Sequence, residues 1–269
     1  MSKTVVITGA SSGIGAAAAR ELHRRGALVV PVGRSPDKTA AIADELGVRP
    51  WIADFADLDS VRRLAEGLLE QYPRIDVLAN NAGGLWSRRV ITVDGYEQTL
   101  QVNALAPTLL ARLLADRLRA SAGRVIVTSS AEHKKGRLNL DDLNSERDYR
   151  PMRVYATSKL AEALLTREFA RRYPDIGVAD FNPGGIASDF NRDMGRTGQV
   201  LRSPLGRLIL TTPERGAQTL VYLAETDEPL HGEYYFRNRR ARASRATGDL
   251  DTARALWAIS DATVGVVSR

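Results

Sequence analysis

The chain has no cysteine among its 269 residues. That absence excludes disulfides, thiolate metal sites and cysteine nucleophiles together. Histidine is nearly as scarce: His23, His133 and His231 are scattered, so no metal cluster is expected. No apolar run approaches the roughly 20 residues that cross a bilayer. The opening Val5-Val6-Ile7 runs straight into Thr8-Gly9, which reads as a strand and turn rather than a leader or membrane anchor. A cytoplasmic protein in a reducing compartment is the expectation. Lysine is rare too, with 5 against 33 arginines, and the net charge is +6. The densest basic cluster, Arg237, Arg239, Arg240, Arg242 and Arg245, lacks interleaved aromatics and does not read as a nucleic-acid site.

What is present is alternation. Short apolar runs at Lys3–Thr8, Leu28–Val32, Arg49–Ala53, Asp76–Ala79, Arg124–Thr128, Gly177–Phe181 and Glu233–Phe236 read as strands. The early ones are nearly continuous in Val, Ile, Leu and Ala, as in parallel strands buried on both faces. Between them lie helical stretches at Ile14–Arg25, Pro36–Leu46, Asp59–Tyr72, Asp94–Leu105, Pro107–Ala120, Met152–Tyr173 and Pro213–Ala224. Strand–helix alternation without a break in composition predicts one α/β domain over 1–269, with a doubly wound, Rossmann-type parallel sheet of about seven strands. Two stretches lack a clear period, at about 131–152 and about 183–212. They are expected to wall a substrate site.

The first strand ends in Thr8-Gly9-Ala10-Ser11-Ser12-Gly13-Ile14-Gly15. Gly9 permits a tight turn, Gly13 lets backbone approach a phosphate, and Gly15 lets helix pack close on strand. The backbone from Ser11 and Ser12 through Ile14 would then present helix N-terminal N–H groups to a pyrophosphate. After the second strand the chain reads Val32-Gly33-Arg34. No acid is there to accept from a ribose 2′-hydroxyl, and Arg34 suits a 2′-phosphate, so NADP(H) is expected over NAD(H). Asp54, after the third strand, is placed to accept from the adenine amino group. Asn80-Asn81-Ala82-Gly83, after the fourth, suits backbone lying under the adenosine half.

Tyr155 and Lys159 stand four residues apart on a predicted helix and so share a face. Chance supplies roughly 0.15 such pairs in this composition, so their position after the fifth strand matters as much as their spacing. A tyrosine with an ordinary pKa of about 10 is protonated at neutral pH and can acidify a carbonyl reduction. Working as a base in oxidation needs about 3–4 kcal/mol of stabilisation of its phenolate, which Lys159 and a positively charged nicotinamide would supply. A serine at the end of the fifth strand, Ser129 or Ser130, would orient the substrate oxygen. Asn103, polar among apolar helix neighbours, would bend the helix or hold a relay water. His133 reads as a solvated loop histidine. Trp86, Tyr149, Phe190 and Met194 read as loop packing or as pocket wall.

These residues resemble the short-chain dehydrogenase/reductase family over nearly the whole chain. The matching elements are Thr8–Gly15, Asp54, Asn80–Gly83, Asn103, Ser130, Tyr155-Ala156-Thr157-Ser158-Lys159 and Pro183-Gly184-Gly185-Ile186-Ala187-Ser188. The resemblance implies strand order 3-2-1-4-5-6-7 and a catalytic set of Asn103, Ser130, Tyr155 and Lys159, and it favours Ser130 over Ser129. It also implies that Pro183, Gly184, the Ile186 backbone and Ser188 lie along the nicotinamide. Asn139-Leu140-Asp141-Asp142-Leu143-Asn144 and the ending Gly232–Phe236 with Ala255-Leu256-Trp257 look most like the retinol-dehydrogenase-like branch. That branch implies NADP(H) and a small-molecule carbonyl or alcohol substrate, often lipophilic. A homo-oligomer is compatible with all of this. A second class of function, a non-enzymatic NADPH-binding regulator or scaffold on the same fold, would bind the cofactor without turnover.

Overall fold

The computed structural model describes residues 2–185 and 211–264, with side chains through Asp261. Eight strands form one sheet in the order β3-β2-β1-β4-β5-β6-β7-β8. They are β1 (Thr4–Thr8), β2 (Leu28–Gly33), β3 (Trp51–Ile52), β4 (Val77–Asn80), β5 (Arg124–Thr128), β6 (Gly177–Asn182), β7 (His231–Phe236) and β8 (Arg239–Arg240). The first seven are parallel, and β8 alone turns back antiparallel on β7. The expected parallel sheet of about seven strands is present, and β8 adds an antiparallel strand at its edge. The eighth follows a two-residue reversal in which Arg237 and Asn238 adopt φ of 51° and 60°, the left-handed pair that tight hairpins require.

Helices cover both faces. On one side lie α1 (Gly13–Arg24), α2 (Pro36–Leu46) and α8 (Pro213–Glu225), packed on Val5, Ile7, Val29, Ala79, Ile126 and Phe181. On the other lie α3 (Leu58–Gln71), α5 (Ala106–Leu113), α6 (Ala115–Ala120), α7 (Pro151–Arg172) and α9 (Leu250–Val264), packed on Val6, Val30, Leu78, Val125 and Val178. Adjacent strand residues alternate between these two cores, as the pleat dictates.

Three local departures from the expected pattern have physical causes. The helix expected from Asp94 begins instead with a short turn, α4 (Gln98–Leu100), because Gly95 takes φ +83° and Glu97 caps the helix by accepting from Thr99 and Leu100 N–H. From Gln101 to Leu105 the helix widens into a π turn before α5. Pro107 has no N–H to offer the Asn103 carbonyl four residues back, which removes one bond of the regular ladder. Lastly, α9 was not anticipated as a helix. Its Trp257 is buried, flanked by the Arg112 and Arg172 guanidinium groups at 4.6 and 4.8 Å from the ring.

Candidate active site

The ends of β1 to β6 carry the expected site residues to one edge of the sheet. Gly9 has φ +67° and Gly13 +57°, the conformations a side chain resists. A Cβ on Gly15 would lie 2.4 Å from the Gly9 carbonyl oxygen and 2.6 Å from Asn81 Nδ2. A Cβ on Gly9 would lie 2.9 Å from Ala82 Cα. The turn is therefore packed to contact at both glycines, against the backbone that follows β4. Asn81 fastens it: its Nδ2 donates to the Thr8 carbonyl at 3.0 Å, and its Oδ1 accepts from Thr128 Oγ1 at 3.1 Å. Thr8 Oγ1 in turn accepts from the Asn81 and Ala82 N–H groups, both at 3.0 Å. Ser12 precedes α1 in extended conformation with its hydroxyl free of a capping bond. The first N–H groups of α1, through Ile14 and Gly15, are left to an external acceptor. This cradle fits a dinucleotide pyrophosphate.

Arg34 is exposed just beyond β2, and no described acid forms an ion pair with it. Beside it, Ser11 covers Gly33, whose Cβ would fall 3.1 Å from Ser11 Cβ. Asp54 is half-buried after β3; one carboxylate oxygen accepts from Ala56 N–H at 2.9 Å. Asn80 behaves differently from its neighbours. It is buried, and its Nδ2 donates to the Pro107 carbonyl of α5 at 3.0 Å, so its side chain is turned into the helix layer. Pro183 and Gly184 follow β6, Gly184 with φ +90°. Ile186, Ser188, Phe190 and Met194 lie outside the described residues.

Ser130, Tyr155 and Lys159 meet. The Ser130 hydroxyl hydrogen-bonds the Tyr155 phenol, and it also accepts from Glu132 N–H at 3.2 Å. Ser129 faces elsewhere: its Oγ is buried and turned toward the Asp180 carboxyl. Ser130, not Ser129, is the hydroxyl beside Tyr155. Tyr155 is 8% exposed on α7. Burial pushes its phenol above the ordinary value, while Lys159 and the Ser130 hydrogen bond oppose that rise. The expected lowering of this group is thus not a property of the chain alone, because desolvation outweighs the single cation.

Asn103 lies in the π turn, fully buried. Its Oδ1 accepts from Gly84 N–H at 2.8 Å; its Nδ2 donates to the Gly84 carbonyl at 2.9 Å and to Ser158 Oγ at 3.0 Å. The side chain is occupied in clamping the loop after β4 to α7. Gly83 sits between, where a Cβ would lie 3.1 Å from Asn103 Oδ1 and 3.7 Å from Lys159 Nζ. Trp86 lies over Gly84, and Tyr149 donates its hydroxyl to the Trp86 carbonyl at 2.8 Å. That bond ties the 131–152 excursion to the loop after β4.

Two titratable groups escape a sequence reading, Glu162 and His133. Lys159 Nζ donates to the Thr128 carbonyl at 2.9 Å and to Glu162 Oε1 at 3.0 Å, in a pair almost wholly buried. Burial alone depresses the Lys159 ammonium, but the Glu162 carboxylate and Tyr155 phenol outweigh it and the net direction is upward. His133 is the other. The expectation of a solvated histidine is wrong: it is fully buried against Tyr234, with ring centroids 4.9 Å apart. Nδ1 lies 2.5 Å from the Ser130 carbonyl and Nε2 accepts from Ser244 N–H at 3.0 Å. The intervening residues form a tight 3-10 turn, Ala131–Lys135, which the sequence read as unpatterned.

The family model for short chain dehydrogenases matches residues 3–198. The chain belongs to that family, in its retinol-dehydrogenase-like branch. It is 43% identical, across 99% of its own length and 94% of the relative's, to "Putative daunorubicin C-13 ketoreductase DnrU" of Streptomyces sp. (strain C5). Retinol dehydrogenase 14 of Homo sapiens is 37% identical, with 98% and 87% of the two chains covered. Among solved structures, a Mycobacterium paratuberculosis protein superposes with TM-score 0.79 at 35% identity, covering 98% and 93%. A short chain dehydrogenase from Burkholderia cenocepacia in complex with NADP reaches TM-score 0.66 at 27% identity, covering 82% and 90%.

Proposed function

We propose that the protein is an NADP(H)-dependent carbonyl reductase or alcohol dehydrogenase for lipophilic ketones, aldehydes or their alcohols. The observation that carries this reading is the convergence of Ser130, Tyr155 and Lys159 at the edge of the sheet that also holds the glycine cradle. The bound nicotinamide supplies hydride in reduction and accepts it in oxidation. Ser130 donates a hydrogen bond to the substrate oxygen and holds it beside the Tyr155 hydroxyl. In reduction Tyr155 gives its proton to that oxygen; in oxidation the phenolate takes it back. Lys159 stabilises the phenolate and would hydrogen-bond the nicotinamide ribose. Asn103 acts through position: it fixes α7 against the loop after β4 and would support a relay water there.

Gly9, Ser11, Ser12, Gly13, Ile14 and Gly15 would hold the pyrophosphate, Arg34 the 2′-phosphate, Asp54 the adenine, and Asn81, Ala82 and Gly83 the adenosine side. Asn80, turned away, supports α5 instead. Pro183, Gly184, Ile186 and Ser188 would follow the nicotinamide. The 131–152 and 183–212 segments would wall the substrate. The ketoreductase and retinol dehydrogenase names of the relatives support lipophilic, ring-bearing substrates. A reducing, cytoplasmic setting is compatible with the cysteine-free composition.

A panel of NADPH-coupled assays on retinal, an anthracycline ketone and simple aromatic ketones tests the reading. Tyr155→Phe is expected to lower kcat at least about a hundredfold, the usual scale of a general acid. Near-wild-type turnover by this variant would sink the mechanism. NADPH binding without turnover on any substrate would favour the regulator reading. For the cofactor, Arg34→Asp is expected to cost about 1.5–3 kcal/mol of NADPH affinity and to spare NADH; an unchanged preference removes Arg34 from the argument.

A further inference from the structure

The catalytic lysine has a second carboxylate-bearing side that the proposed reaction does not use. Glu162 sits one turn along α7 from Lys159, and both carboxylate oxygens lie 3.0 Å from Nζ. Only Oε1 has hydrogen-bond geometry; Oε2 is buried with no partner. On β4, Asn80 Oδ1 is also buried with no partner. Both residues line one cavity of about 20 Å³ between the sheet and helices α5 and α7. The rest of its lining includes Pro107, Val125, Val127 and Phe169. A space of that size takes about one water, and a water needs at least two polar partners to remain there. Its two O–H groups match the two acceptors.

We propose that Glu162 is a positioning residue, fixing where the Lys159 ammonium sits and how much net charge it presents to Tyr155, and that Glu162 and Asn80 share one buried water. The proposal rests on the oxidoreductase reading above. Its physical basis is the arithmetic of a buried cation. Burying an ammonium between helix and sheet is costly; the carboxylate at contact distance offsets part of that cost, and the Thr128 carbonyl, which accepts from the same ammonium, holds it in place without adding a charge. The same carboxylate cancels part of the field that Lys159 exerts on Tyr155. It thereby helps keep the phenol protonated, the form that reduction needs.

Few other charges face Glu162. Lys159 is on its own helix, and Asp180 approaches from β6, itself 3.4 Å from Arg167 Nη2. From α5 comes the neutral Thr108, from β4 the neutral Asn80, and from β5 the apolar Val125 and Val127. Burial raises Glu162 to about 7, against the pull of Lys159.

The test is the pH profile of alcohol oxidation, whose ascending limb reports ionisation of Tyr155. Glu162→Gln keeps the shape and removes the charge. Its limb is expected to move down by about one pH unit, because a carboxylate near ~10 Å acts on that scale in a protein interior. Glu162→Asp retains the charge, and its limb is expected to stay nearer the wild-type position. An unmoved limb in Glu162→Gln overturns the proposal. A crystal structure of the wild-type protein is expected to place one water within hydrogen-bond distance of Glu162 Oε2 and Asn80 Oδ1; a cavity without it overturns the shared water. Carbon-13 NMR of the wild-type glutamate carboxyls needs neither turnover nor a folded variant. A Glu162 midpoint near the ordinary ~4.3 overturns the buried pairing. An elevated midpoint with no turnover on any substrate instead sinks the oxidoreductase reading and leaves the pairing standing.

Discussion

His133 accepts a hydrogen bond from the backbone N–H of Ser244 at 3.0 Å, joining the turn after β5 to the segment that leads into α9. Because Nε2 accepts, the proton of the neutral ring is on Nδ1, where it donates to the Ser130 carbonyl. One imidazole therefore holds the backbone of Ser130 to a stretch of chain far away in sequence.

Replacing that ring by leucine strands a buried donor and a buried acceptor. His133→Leu is expected to cost about 1–3 kcal/mol of stability, measured by urea unfolding. Burial holds the His133 imidazole below its ordinary value. The unfolded chain thus takes up the proton first, so the contribution is fully present above about pH 6.5 and is lost as pH falls from there. Comparing unfolding midpoints at about pH 7.5 and about pH 5.5, wild type should lose more stability than His133→Leu. Equal losses would mean that the ring does not stay neutral.

The phenol of Tyr155 is held up by burial. Carbonyl reduction is therefore expected to run at constant kcat across neutral pH, while oxidation climbs with pH. Lys159→Met removes the opposing cation and should move the oxidative limb further up, lowering oxidation at about pH 8 by roughly 10–100-fold. A limb that moves down instead would contradict the assigned sign.

At the glycine cradle, Gly15→Ala sets a methyl 2.4 Å from a carbonyl oxygen. The expected result is a loss of about 1–3 kcal/mol and at least a tenfold weaker NADPH Kd, read by thermal unfolding with and without cofactor. Gly248→Ala, with open space around its Cβ, is the control and should change neither.

Trp257 joins α9 to α7 through Phe169 and Arg172, and to α5 through Arg112. Trp257→Ala is expected to destabilise the fold by about 3–5 kcal/mol in denaturant titrations. A change under about 1 kcal/mol would mean that α9 is not part of the cooperative unit.

Much of this molecule is written in local pattern. The apolar runs of β1 and β2 sit in the sheet where buried parallel strands belong, and Tyr155 and Lys159 share a helix face because their spacing requires it. What escaped has a common cause in contacts made across long stretches of chain. Glu162 looks like an ordinary helix acid at i+3 from a lysine, and only packing under β5 and β6 makes it a buried one. His133 sits in a charged stretch that reads as solvated, yet Tyr234 and Ser244 close over it. Asn80 belongs to a run of site residues, but β4 extends through it and its side chain turns toward α5. The helix expected from Asp94 fails for a local reason, the positive φ of Gly95.

The π turn at Gln101–Leu105 gives one rod two phases. A regular α-helix advances about 100° per residue, so one residue accommodated in a wider turn rotates everything after it by about that angle. The turn itself can then direct Gln101 toward the Phe55 carbonyl and Asn103 toward Gly84, while downstream Leu109 and Leu110 still meet the core. Shortening that turn by one residue would put those two demands out of step. The segment is in effect a gear between the apolar layer and the polar edge, and its tooth count is fixed by both.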